Sequence, residues 1–189
     1  MPSGCHGAPW TDSFARIHLE FGDEAWNASL FPGGAIPYSV PYGNRGSELF
    51  GVARRSLYYN SSKFNLVLGG FGRDVQRNTG IHNASTNHDS LALGPYLAMG
   101  VNNYANDEEL FGPLFAEPEM LAQTGYMGEN YRALTASGRP VPLAVYETNL
   151  HTTLGSISQS ALDSFTPSLG AGLAVADHML MMLRDLHSG

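Results

Sequence analysis

Apolar positions in this chain fall into short runs separated by long polar stretches. Ile17, Leu19 and Phe21 alternate with polar residues, so Arg16 to Gly22 predicts a strand with a buried side. "KFNLVLGG", residues 63 to 70, is a brief apolar run halted by a glycine pair, as a buried strand is. Ser90 to Leu97 ("SLALGPYL") and Leu143 to Tyr146 ("LAVY") predict two more strands, the second prepared by Pro140 and Pro142. Between strands the period changes. Leu49, Phe50, Ala53 and Leu57 recur at helical spacing over Ser47 to Leu57. Asp107 to Ala136 reads as helix in pieces, broken at Gly112-Pro113 and near Gly125, and a last helix is expected over Ser168 to Leu186 behind Pro167. A helix end is expected at Trp10 to Ala15, capped by Thr11 or Asp12. Residues 28 to 44, 71 to 89 and 148 to 158 read as loops.

Short apolar strands alternating with helices predict an α/β fold of parallel βα units, one domain over residues 1 to 189. Such units close either as an open doubly wound sheet or as a barrel. In both, ligands gather at the carboxyl ends of the strands. The one glycine-rich strand exit, "LGGFGRDVQRN" (68 to 78), misses the spacing of the common phosphate-binding turns and reads as glycines closing a strand.

Composition narrows the function classes. Apolar residues make up 43% and charged residues 14%, which suits a folded core. Net charge is −7 with ten Lys plus Arg, so no stretch tracks a phosphate backbone and nucleic acid is not expected as a partner. The longest apolar run, Leu169 to Leu183, is interrupted by Asp177 and His178 and falls short of the ~20 residues of a membrane span. The one cysteine, Cys5, permits neither an internal disulfide nor a thiolate metal cage. The first residues lack the basic and apolar regions of a signal peptide, so no export signal is read here; a secreted or periplasmic parent protein is compatible with the rest.

The chemistry sits where two strands end. The first leads into "GDEAWN" with Glu24, the second into "ETNLHT" with Glu147. A carboxylate at the end of a buried strand is costly unless it is paired or stands at a mouth. Two such carboxylates on one rim suit glycoside hydrolysis, in which one carboxyl is acid and then base while the other is nucleophile or base. Aromatic and polar neighbours suit sugar binding: Trp26 and Asn27 beside Glu24, and Tyr96, Tyr146, Asn149 and His151 around Glu147.

"IHLEFGDEAWN" resembles the acid/base strand of the retaining (β/α)8-barrel glycoside hydrolases of clan A, whose fourth strand ends in Asn-Glu, often with an aromatic after it. "PLAVYETNLHT" resembles their nucleophile strand, the seventh. The arabinofuranosidase, xylosidase and endoglucanase-like families are the nearest in kind. The resemblance implies a barrel segment of about strands four to seven, Glu24 as acid/base and Glu147 as nucleophile. The strands at 65–70 and 90–97 then count as the fifth and sixth, and Tyr96 falls where the clan often holds a Tyr or His against the nucleophile. As a strand pattern the likeness runs from residue 16 to 186; its specific motifs cover only the two strand ends.

Two features depart from that pattern. Asp23 stands where the family has asparagine; it accepts a bond from a sugar hydroxyl but cannot donate one, and its charge favours the protonated form of Glu24. A full barrel also takes ~250 residues. Strands one to three and eight are not found, so the chain is expected to be part of a longer protein. The alternative function is a non-catalytic carbohydrate-binding relative, or an inactive fragment of a longer hydrolase.

Remaining features add little. His82, His88 and Asp89 are ligand types, but their spacing matches no zinc signature, so no metal is expected and His88 reads as a substrate contact. No cofactor is implied. No G-x-S-x-G elbow exists, which removes the usual serine-hydrolase frame. Met179 to Met182 reads as helix core.

Overall fold

Four strands, Ile17–Phe21 (β1), Phe64–Gly69 (β2), Ser90–Leu93 (β3) and Leu143–Val145 (β4), pair in parallel in the order β1-β2-β3-β4. The computed structural model describes residues 9–22, 24–30 and 33–186. Helices run Trp10–Ser13 (α1), Ser39–Arg54 (α2), Val75–Ala84 (α3), Asp107–Gln123 (α4), Tyr126–Thr135 (α5), Gln159–Phe165 (α6) and Leu169–Asp185 (α7). The protein is thus an α/β unit with a four-stranded, all-parallel sheet and helices between its strands. Each crossover moves to the next strand in the same direction, so right-handed connections place the helices on one side of the sheet.

The register sorts the side chains accordingly. Leu66, Leu68, Leu91 and Leu93 alternate onto one face and form a fully buried core with Tyr42 and Phe50 of α2, Ile81 of α3 and Leu134 of α5. The other face carries a polar layer: the Asn65 amide donates to Ser90 Oγ at 2.9 Å and lies 3.0 Å from His18 Nδ1. α2 approaches the sheet through glycine. A Cβ on Gly46 would stand 2.5 Å from Leu68 Cδ2, and one on Gly43 2.6 Å from the Ile81 carbonyl.

All four expected strands form, within a few residues of the expected ends. Three helix expectations are corrected. α2 begins at Ser39, eight residues before Ser47, because Pro41 fits a first turn and Gly43 and Gly46 are chosen for close packing rather than for propensity. The stretch 71–89 is not all loop. It contains α3, capped by Asp74, whose side chain accepts the Arg77 N–H at 2.8 Å; two of its buried residues are Asn78 and His82, which hides the apolar period. α4 runs through Gly112-Pro113 and Pro118 and ends only at Thr124, and α6 lies in a stretch with no helical expectation.

The outer strands are more open than expected. Leu19 of β1 is 41% exposed and Val145 of β4 is 40% exposed, because neither outer edge has a neighbouring strand among the described residues. In the Met179–Met182 run only Met181 is buried; Met179 and Leu180 are exposed, so this run is half core and half surface. No helix among the described residues is long and apolar enough to cross a membrane.

Candidate active site

Because the strands are parallel, β1 to β4 all deliver their exits to one end of the sheet, and a cavity of 280 Å³ opens there. Its walls come from all four exits, and include Glu24, Trp26, Phe71, Arg73, Tyr96 and Tyr146.

The β1 exit is a tight turn. Glu24 adopts φ 43°, a left-handed conformation that few non-glycine residues take, and its carbonyl accepts the Asn27 N–H at 2.8 Å. The Ala25 carbonyl accepts the Ile36 N–H at 2.7 Å, fastening the turn to the chain that enters α2. From α2, the Tyr42 hydroxyl donates to the Phe21 carbonyl and accepts the Gly69 N–H at 3.0 Å, locking the ends of β1 and β2 together. Trp26 lies flat on Phe71, ring centres 4.3 Å apart at 29°. Among the described residues its buried indole N–H has no acceptor.

The β2 exit is held from behind. Asn78 accepts the Phe71 N–H at 2.9 Å and donates to the Phe71 carbonyl at 2.7 Å. It also donates to Asn130, which in turn donates to the Gly72 carbonyl at 2.8 Å. Tyr126, at the start of α5, closes this side. Burial pushes its phenol up to about 12, with Glu117 adding to the rise and Arg73 opposing it.

The β3 and β4 exits are stitched to each other. Beyond the strands proper, Leu97 pairs with Leu150 and Gly100 with Leu154. Leu97 N–H donates to the Asn149 carbonyl at 3.0 Å, and His151 N–H to the Leu97 carbonyl at 2.7 Å. Thr148 Oγ and His178 Nε2 both bond the Pro95 carbonyl, at 2.7 and 3.1 Å. His178 therefore carries its proton on Nε2; burial lowers its pKa, and the Pro95 bond partly offsets this. On this frame Tyr96 packs against His151, ring centres 5.2 Å apart, with its phenol near the Glu147 carboxylate. The Tyr96 phenol is raised above its usual range, first by burial, then by the Glu147 carboxylate nearby, then by the charge of Glu24. Gly94 makes the crowding possible: a Cβ there would lie 3.1 Å from both the Tyr146 hydroxyl and the Tyr96 ring.

Of the residues singled out in the sequence, Glu24, Trp26, Tyr96, Tyr146 and His151 line this cavity, and Glu147 reaches it through Tyr96. Three fall elsewhere. The Asn27 side chain accepts the Ser29 and Leu30 N–H groups at 3.0 and 3.3 Å, so it folds the turn instead of facing the cavity. Asn149 is exposed and bonds its neighbour Leu150 N–H through its side chain. His88 precedes β3, at the opposite end of the sheet; it is 3% exposed and buried against His82 and Arg139, out of reach of any substrate at the strand exits. Asp23 lies outside the described residues, as does Cys5. Sequence reading missed Phe71, Arg73 and Tyr126. The first two follow a strand as Glu24 does, which is the signal that points to them; Tyr126 comes from the α4–α5 junction, where nothing local marks it.

A larger cavity, 550 Å³, lies alongside and shares Met99 with the first. Its acids are already engaged: Glu117 accepts the Ala98 N–H at 2.8 Å and Glu109 the Ala105 N–H at 2.9 Å. Among the described residues no group of three or more His, Cys, Asp or Glu side chains is placed to hold a metal. Compared with known protein families the chain matches none, and it matches no curated protein sequence.

Proposed function

We propose that this chain carries the catalytic end of a retaining glycoside hydrolase, built as a segment of a (β/α)8 barrel. The observation that carries the reading is the position of Tyr96. It lines the cavity with Glu24, and its phenol feels the charges of both Glu147 and Glu24, which supports reading the glutamates that end β1 and β4 as facing one rim. The sequential strand order supports a barrel segment over a doubly wound sheet, in which strand order reverses.

In this reading Glu147 attacks the anomeric carbon and forms a glycosyl ester as the glycosidic bond breaks. The leaving oxygen takes its proton from Glu24. Water then attacks the same carbon, gives a proton to the Glu24 carboxylate and releases Glu147. Tyr96 orients the nucleophile through its hydroxyl. Trp26, backed by Phe71, supplies an apolar wall for a sugar face.

Aryl glycosides and oligosaccharides, followed by anomer-resolved NMR, test this. Hydrolysis with retention is expected. Glu147→Ala should abolish it, and azide should rescue it as a glycosyl azide of inverted configuration. Glu24→Ala should cost ~10²–10⁴ on substrates with poor leaving groups and much less on activated aryl ones. Unchanged turnover in either variant removes that residue from the mechanism.

A second reading, a carbohydrate-binding relative without turnover, is favoured by one observation. Among the described residues the edges of β1 and β4 have no neighbouring strand, where a closed barrel pairs them. Sugar binding that survives Glu147→Ala, with no hydrolysis by the parent chain, selects it.

A further inference from the structure

The cavity at the strand exits has one arginine or lysine in its wall, Arg73. Its guanidinium stands over the Tyr126 ring, 6.0 Å from the centre. Among the described residues no carboxylate lies within ion-pair distance of it, although Glu24 lines the same cavity. The neighbouring acid, Asp74, is engaged in capping α3. Arg73 is solvent-exposed, so its N–H groups are open to a ligand.

The backbone that carries this arginine is fixed. Asn78 holds both the N–H and the carbonyl of Phe71, and Asn130 holds the carbonyl of Gly72, the residue before Arg73. Both asparagines are 1% exposed. Two buried amides spent on one short exit loop hold it in one position, and a cation on a fixed loop recognises an anion at low ordering cost.

We propose that Arg73 selects a sugar residue bearing a single negative charge, a uronic acid carboxylate or an O-sulfate. The proposal rests on the glycosidase reading of Glu24 and Glu147. A guanidinium fork matches the paired oxygens of such a group. One cation balances one charge; a phosphate dianion would leave excess charge beside two glutamates.

The test measures binding by calorimetry and hydrolysis by sugar release. Ligands are matched neutral, uronic acid-containing and sulfated oligosaccharides, offered to the wild-type chain and to Arg73→Gln, Arg73→Lys and Glu147→Gln. An exposed residue tolerates these changes, and thermal midpoints verify that it does. Acidic ligands should bind best, with the affinity weakening in salt. Arg73→Gln should lower it about 10- to 100-fold on the acidic ligands and leave neutral ones unchanged. Arg73→Lys should recover part of the loss, and the uronate and sulfate arms show which group is read. Preference for neutral sugars, or equal loss on both classes, overturns the proposal while the hydrolase stands. Arg73-dependent binding with no turnover overturns the hydrolase reading and keeps the acidic-sugar site. No binding of any sugar overturns both.

Discussion

The Tyr96 phenol stands near the Glu147 carboxylate across the exits of β3 and β4, and that carboxylate helps to hold its proton. A phenol raised above the ordinary value of 10.0 stays protonated, so Tyr96 is a donor throughout the pH range in which a glycosidase works. Tyr96→Phe keeps the ring against His151 and removes only the donor. A hydrogen bond to a charged group contributes ~1.5–3 kcal/mol, so kcat/KM should fall about 10- to 100-fold with little change in thermal midpoint. Equal kinetics in the two proteins would mean that the bond does not act in the rate-limiting step.

Glu24 sits at φ 43°. A left-handed residue costs about 1–2 kcal/mol unless it is glycine, or asparagine, which tolerates it better. Glu24→Asn should therefore hold or raise the midpoint of urea unfolding while hydrolysis of unactivated glycosides is lost. A clear drop in stability would show that the Glu24 side chain contributes more to the fold than its backbone costs.

At the other end of the sheet, His82 Nδ1 and His88 Nε2 are 3.0 Å apart, with Arg139 donating to the surrounding carbonyls. Burial first, then the Arg139 charge, then His82 lower His88 to about 3, and burial and Arg139 lower His82 as well. The unfolded chain, with His88 near 6.5, binds the proton that the folded one refuses. Stability is therefore unaffected by His88 above about pH 6.5 and falls as pH drops from there towards about 3, by up to about 1.4 kcal/mol per pH unit. Urea midpoints at pH 7 and pH 5 should show this slope, and His88→Gln should flatten it.

Asn78→Ala leaves the Phe71 N–H and the Asn130 side-chain oxygen without partners, while the Phe71 carbonyl keeps the Asp74 N–H. Buried unpaired groups cost about 1–3 kcal/mol each. Destabilisation of about 3 kcal/mol is expected, and amide exchange at Phe71 should accelerate more than in the β2 core. A uniform rise in exchange would instead mean that Asn78 supports the whole domain and not this loop.

Strands were legible because their apolar runs are short, dense and bounded by Gly and Pro. β3 is buried throughout and β2 from Asn65 onward, and their sequences are apolar enough to show it. α3 was not legible, since it buries Asn78 and His82 where an amphipathic pattern needs aliphatic residues. The early start of α2 was hidden by glycines that answer to Leu68 and Ile81, residues remote in sequence. The glutamates could be read because a carboxylate after an apolar run is anomalous within its own few residues. Asn27, His88 and Asn149 misled because their residue types suit a sugar site, and only the fold reveals that a turn, a buried pair and a local bond already occupy them. Arg73 went unnoticed for the converse reason: an arginine in a polar stretch is unremarkable until a cavity opens beside it.

The two open edges of the sheet are not equivalent. β1 exposes Leu19 between His18 and Glu20, polar side chains that discourage a foreign strand. β4 presents Leu143 and Val145 beside an apolar groove whose wall includes Met179, Met182 and Leu183 of α7. Self-association is expected to begin at β4. A charge at Val145 is the change that would keep the protein in solution without touching the glutamates.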